Sequence, residues 1–106
     1  MEELIEISTL EAYEEAIASK SIILFTADWC PDCVFIKPFI GDLVKANPEF
    51  KFYSINRDKM LDLCKTLNIL GIPSFIAYNK QEEIGRLVSK LRKTRQEIQN
   101  FIDQVK

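Results

Sequence analysis

The sequence predicts an α/β domain, a mixed central sheet of about five strands flanked by helices on both faces, and three observations carry that expectation. Apolar runs short enough for strands alternate with amphipathic stretches along the chain, in the order strand, helix, strand, helix, strand, helix, strand, strand, helix. One run, Ile22 to Phe25, is apolar at every position, as in a strand covered on both sides. The last two strands, Ser74 to Tyr78 and Glu83 to Val88, are separated only by the polar Asn79-Lys80-Gln81-Glu82, a hairpin-like connection in a chain whose other strands are joined through helices. The 106 residues make one domain, residues 1–106, with enough chain for one sheet and its helices and too little for a second core.

Leu4 to Ile7 reads as a short first strand. Ser8 followed by Glu11 forms a capping box, and Leu10, Tyr13, Ala16 and Ile17 then recur at helical spacing, giving a helix from about Thr9 to Ala18 whose acidic residues Glu11, Glu14 and Glu15 make a solvated face. Ser21 to Thr26 is the central strand. Pro31, with its fixed φ and missing N–H, suits the first position of a second helix. That helix carries Val34, Phe35, Ile36, Phe39, Ile40, Leu43 and Val44, nearly all expected inward; Pro38 should remove one of its hydrogen bonds and bend it, and Asn47-Pro48 ends it. Phe50 to Ile55 is the next strand. A third helix is expected from Asp58 to about Leu67, with Met60, Leu61, Leu63, Cys64 and Leu67 on its apolar side, so Cys64 reads as a core residue. Asn68 to Pro73 connects to the hairpin. A second capping box, Thr94 with Glu97, opens the last helix, whose Ile98, Phe101, Ile102 and Val105 should cover the sheet.

Charge and composition exclude several classes. A net charge of −2 does not suit a general nucleic-acid binder, and no glycine pattern that cradles phosphate occurs. No apolar run approaches the ~20 residues of a membrane span. The first residues, Met1-Glu2-Glu3-Leu4-Ile5-Glu6, are acidic where a secretory signal would be basic, so a cytoplasmic protein is expected, and a monomer.

The chemistry concentrates at Phe25-Thr26-Ala27-Asp28-Trp29-Cys30-Pro31-Asp32-Cys33. A strand delivers Cys30 to the start of a helix, where unpaired amides and the positive dipole end favour a thiolate. Two intervening residues bring Cys33 within reach one turn later. In a reducing compartment such a pair is a dithiol that opens and closes. Its rivals are weaker: a metal site normally wants four ligands, and the chain has no histidine and only one further cysteine, Cys64. A structural disulfide is the other bland reading.

Trp29-Cys30-Pro31-Asp32-Cys33 together with Gly71-Ile72-Pro73-Ser74, and with Pro38 and Asp58 at matching places, makes the sequence resemble the thioredoxin family over essentially its whole length. The resemblance implies a thioredoxin fold with Cys30 as the exposed nucleophile, Cys33 as the half-buried resolving thiol, and Pro73 as a cis-proline facing the pair. It implies an apolar rim of Trp29, Ile72 and Pro73, with the Ile72 backbone pairing an extended substrate. The activity implied is reduction of protein or small-molecule disulfides in redox homeostasis, with no cofactor beyond the Cys30–Cys33 pair and an external thioredoxin-reductase-type flavoenzyme restoring the dithiol.

Several positions depart from the family pattern. Pro31-Asp32 stands where thioredoxins proper usually have Gly-Pro, a form similar to a subgroup of small cytosolic disulfide reductases; both residues should tune the thiolate, the Asp32 carboxylate by opposing it. Leu24 replaces the family's buried aspartate, which leaves the usual proton acceptor for Cys33 missing. Ser89 replaces a glycine beside the site, where the resemblance places it with Trp29 and Ile72 among the substrate-binding residues. The basic loop after it, Lys90-Leu91-Arg92-Lys93, is slightly long and reads either as solvated or as a patch that steers acidic partners. The competing functions are a redox-inactive binding or chaperone module on the same fold, and a metal-binding dithiol.

Overall fold

The computed structural model describes residues 3–106; Met1 and Glu2, part of the acidic N-terminal stretch, lie outside the described residues. Five strands, β1 (Ile5–Glu6), β2 (Ser21–Thr26), β3 (Lys51–Asn56), β4 (Ser74–Asn79) and β5 (Glu82–Leu87), stand in the spatial order β1-β3-β2-β4-β5. β1 and β2 run parallel to β3, while β4 is antiparallel to β2 and β5 to β4. The wholly apolar strand is thus the middle one, as its composition requires.

Alternation along β2 divides the interior into two cores. Ile22 and Leu24 pack with Ile36, Ile40 and Leu43 of α2 (Pro31–Ala46) and with Ile98, Phe101 and Ile102 of α4 (Arg95–Val105). Ile23 and Phe25 pack on the other face with Tyr13 and Ala16 of α1 (Leu10–Ile17) and Cys64 of α3 (Leu61–Thr66). All four strand residues are fully buried, each stabilising the fold by about 1.5–3 kcal/mol. Burying the sheet from both sides holds the C-terminal end of β2, and the cysteines after it, on a rigid platform.

Local details differ from the sequence expectation where side chains compete for backbone groups. Thr9, not Ser8, caps α1, its Oγ1 accepting from the Ala12 amide at 3.1 Å, so the Ser8–Glu11 capping box is replaced by a cap one residue on. The expected third helix is split. Asn56 Oδ1 accepts from the Asp58 amide at 2.9 Å and tightens Arg57–Lys59 into a 3₁₀ turn, and Met60 leaves helical geometry to bury its side chain before α3 begins. Leu10 and Leu61, first residues of their helices, are exposed and line one surface cleft with Met60 rather than entering the core. On α2 the inward stripe is Cys33, Ile36, Ile40 and Leu43 at helical spacing, which leaves Val34 and Phe35 outside. Pro38 lies inside α2.

The hairpin turn is shorter than expected. Pairing extends to Asn79 and Glu82, leaving Lys80 and Gln81 at φ 52° and 69°, the two-residue turn whose twist matches the strands. The Thr94–Glu97 capping box is complete, with Glu97 N–H donating to Thr94 Oγ1 at 3.1 Å and Thr94 N–H to Glu97 Oε1 at 3.3 Å. Among the described residues no helix is long and apolar enough to cross a membrane.

Candidate active site

Cys30 is the N-cap of α2, with Pro31 at the first helical position and Asp32 in the first turn. Its Sγ does what a capping oxygen would do elsewhere, accepting from the Cys33 amide at 3.4 Å, while its carbonyl accepts from the Cys33 and Val34 amides at 3.1 Å. An amide aimed at a sulfur at the positive end of a helix favours negative charge on that sulfur. All three cysteines are free thiols.

Neither member of the pair is open to solvent. Cys30 is 5% exposed and Cys33 1%, so the resemblance's exposed Cys30 and half-buried Cys33 are corrected to two buried sulfurs. The cause is the segment facing them. Ile72–Pro73 is cis and buried, and Cys30 Sγ donates to the Ile72 carbonyl at 3.8 Å. Burial first, then the neighbouring Cys30 sulfur, push the Cys33 thiol up to about 11, partly offset by the Thr26 hydroxyl and the Ala27 backbone. At neutral pH that favours the thiol form of Cys33.

The rim is held by β3's end. Trp29 is largely exposed, and its Nε1 donates to Asp58 Oδ2 at 2.7 Å, while the Arg57 guanidinium sits 5.1 Å from the indole centroid and 3.6 Å from the other Asp58 oxygen. The 3₁₀ turn that broke the expected helix is what brings Arg57 and Asp58 to the tryptophan.

The segment between β5 and α4 comes to the same end of the sheet. Arg92 Nε donates to Asp32 Oδ1 at 2.8 Å and its guanidinium lies 4.4 Å from the Phe35 ring centroid. Ser89 Oγ accepts from the Leu91 amide, and the Ser89 carbonyl accepts from Lys93 Nζ at 2.8 Å. Gly71 makes this approach possible: a Cβ there would run into the Ser89 carbonyl and the Lys90 backbone. The basic loop is not uniformly solvated. Lys93 is buried and Arg92 engaged, and of the three cations Lys90 is exposed and makes no ion pair among the described residues.

Leu24 is fully buried on the α2/α4 side, among Ile22, Ile36 and Ile40, while Cys33 packs in the opposite core. The place where the family carries an acid is wholly apolar here. Sequence reasoning missed Thr26, Arg57 and the burial of Lys93; Thr26 closes the apolar strand, but nothing local separates Lys93 from its basic neighbours. The pair offers two sulfur donors, and no cluster of three His, Cys, Asp or Glu side chains placed to hold a metal occurs among the described residues.

A strand-fed cysteine capping a helix, a second thiol one turn on and a cis X–Pro bond opposite define the thiol–disulfide oxidoreductase class of domain. The thioredoxin family model matches residues 4–104, and the chain belongs to that family. It is 33% identical to thioredoxin H3 of Arabidopsis thaliana over 92 residues, 81% of this chain and 77% of that protein. To the mitochondrial thioredoxin-2 of Schizosaccharomyces pombe it is 31% identical over 74 residues, 70% of this chain and 56% of that protein. Among solved structures, Arabidopsis thioredoxin O1 in its oxidised state shares the fold at a TM-score of 0.80 and 24% identity, covering 96% of both chains. Fasciola hepatica thioredoxin does so at 0.83 and 20% identity, over 97% of this chain and all of that one.

Proposed function

We propose that the protein is a disulfide reductase acting on protein or small-molecule disulfides, with the Cys30–Cys33 pair as its only redox centre. The observation that carries this reading is the Cys30 sulfur held as a helix cap with the Cys33 amide on it and the Cys33 thiol behind it. Cys30 thiolate attacks a substrate sulfur, breaking the substrate S–S bond; the leaving thiolate takes a proton. Cys33 then gives up its proton and attacks Cys30, forming the internal disulfide as the mixed disulfide breaks and the second substrate sulfur leaves and is protonated. Because Cys30 is covered by Ile72, an extended substrate segment must replace the sulfur's contact with the Ile72 carbonyl, pairing with that backbone beside Trp29 and Pro73.

A thioredoxin-reductase-type flavoenzyme is the electron donor we infer, in the cytoplasm, where a reducing environment suits a dithiol that spends itself on substrates. The test is reduction of insulin disulfides together with the reduction potential of the pair. Cys33→Ser should trap substrate as a mixed disulfide and Cys30→Ser should trap none; trapping on Cys30→Ser would reverse the roles. A protein that neither turns over insulin nor equilibrates with glutathione would be a binding module on this fold.

A further inference from the structure

A lysine almost without solvent contact is costly unless its charge is used or satisfied. Lys93 is 1% exposed, and two carbonyls of its own loop, Ser89 at 2.8 Å and Leu91 at 2.7 Å, accept from its Nζ. The loop Ser89–Lys93 thus folds around an ammonium. It is fixed to the dithiol from two sides. Arg92 binds Asp32, one residue before Cys33, and the Ser89 and Lys90 backbone packs on Gly71, next to the Ile72 whose carbonyl contacts Cys30 Sγ.

We propose that Lys93 is a positioning residue for the dithiol, its buried ammonium supplying the positive field under which the Cys33 thiolate forms in the resolving step. The inference rests on the reductase reading. Cys33 lies buried and, with Leu24 apolar, has no carboxylate from β2 to help it lose its proton. In the mixed disulfide Cys30 carries no charge, so the thiolate to be stabilised is that of Cys33. Its electron pair attacks Cys30, the Cys30–substrate S–S bond breaks, and the substrate sulfur departs with that bond's electrons and takes up, through solvent, the proton that Cys33 gives up. The ammonium is unchanged throughout. Burial lowers the Lys93 pKa, and the negative charges of Asp32, then Cys33, Glu97 and Cys30, act against that.

The experiment uses 5,5′-dithiobis(2-nitrobenzoate) in stopped flow. Attack by Cys30 releases one thionitrobenzoate, and resolution by Cys33 releases the second, so the second phase isolates the resolving step without any natural substrate. Unit charges about 8 Å apart at an effective dielectric of about 40 shift a pKa by about 0.8 unit, or about sixfold. Lys93→Met and Lys93→Gln should therefore move the pH profile of the second phase up by roughly that much, slowing it about three- to sixfold at neutral pH, and Lys93→Arg should restore it. Lys93→Gln keeps a donor for the Ser89 carbonyl, so a wild-type profile in that variant would mean that the lysine only closes the loop and would overturn the proposal.

Should the variants fail to fold, the wild type still decides. Lys93 Cε resonances should titrate at higher pH in the reduced protein than in the oxidised one, and identical titration in both states refutes the idea. Failure of insulin reduction with a normal Lys93 dependence would count against the reductase reading alone.

Discussion

Asp32 and Arg92 give the sharpest test of how the site's electrostatics are balanced. Asp32 lies two residues from Cys30 and one from Cys33, and from roughly 6 to 8 Å at an effective dielectric of about 40 to 80 a lone carboxylate would disfavour a thiolate by about 0.5 to 1.4 kcal/mol. The carboxylate is not alone. Arg92 Nε is 2.8 Å from its Oδ1, so the sulfur meets a carboxylate and a guanidinium together, and the two fields largely oppose each other. The pair is half exposed, at 50% for Arg92 and 32% for Asp32, so its own contribution to stability is small, about 0.2 to 1 kcal/mol. Its effect on the dithiol is separable by sign.

Asp32→Asn should stabilise the thiolate, hence the reduced form, and make the protein a weaker reductant. Arg92→Met removes the guanidinium paired with Asp32 and should make it a stronger one. Each shift in the glutathione equilibrium should be about two- to tenfold, taken at a pH where the reduced protein carries thiolate, and the double variant should return towards wild type. The assay is equilibration with reduced and oxidised glutathione at low salt, quantified by alkylation, then repeated in 1 M salt, where a Debye length of about 3 Å should shrink both shifts. Two single variants moving the equilibrium in the same direction, or a shift that ignores salt, would refute the charge argument and leave Arg92 a packing role on Phe35.

Leu24→Asp places a carboxylate among Ile22, Ile36 and Ile40 and should cost about 1 to 3 kcal/mol or more, read as a lower urea midpoint at unchanged slope; unaltered stability would contradict the burial at that position. Gly71→Ala sets a Cβ against the Ser89 backbone, which cannot rotate away, so a loss of about 1 to 3 kcal/mol is expected in the same assay. Tyr78→Phe breaks the buried 2.8 Å hydroxyl pair with Tyr13 and should cost about 1 kcal/mol at neutral pH. Burial raises the pKa of Cys33, Cys64, Tyr13 and Tyr78, so the folded state holds these protons more tightly than the unfolded one. Their stability is complete below the unfolded values and is lost as pH climbs from about 9 through the Cys33 value of about 11; Lys93, shifted down, acts in the opposite sense. Denaturation between pH 8 and 11 should show that fall in wild type and a shallower one in Tyr78→Phe.

The layers and the chemistry are legible in the residues alone, because both are local. An unbroken Ile22-Ile23-Leu24-Phe25 admits a central strand and little else, Thr94 and Glu97 mark a helix start without help from the rest of the chain, and two cysteines around Pro31-Asp32 after a strand place a dithiol at a helix end. Periodicity failed where an interior is shared by distant segments. Val34 and Phe35 match the apolar pattern of α2 but face outward, and Met60 interrupts a helix to reach the core, because which side of a helix is inside depends on what packs against it. Tertiary structure alone decided the electrostatics of the site. Arg92 and Asp32 stand sixty residues apart in the chain and Trp29 and Asp58 twenty-nine, and neither pairing has a local signal. Lys93 reads as one of three solvated cations until the loop closes over it. Charge is a property of the residue, but its burial, its partners and therefore its effect on Cys33 belong to the fold.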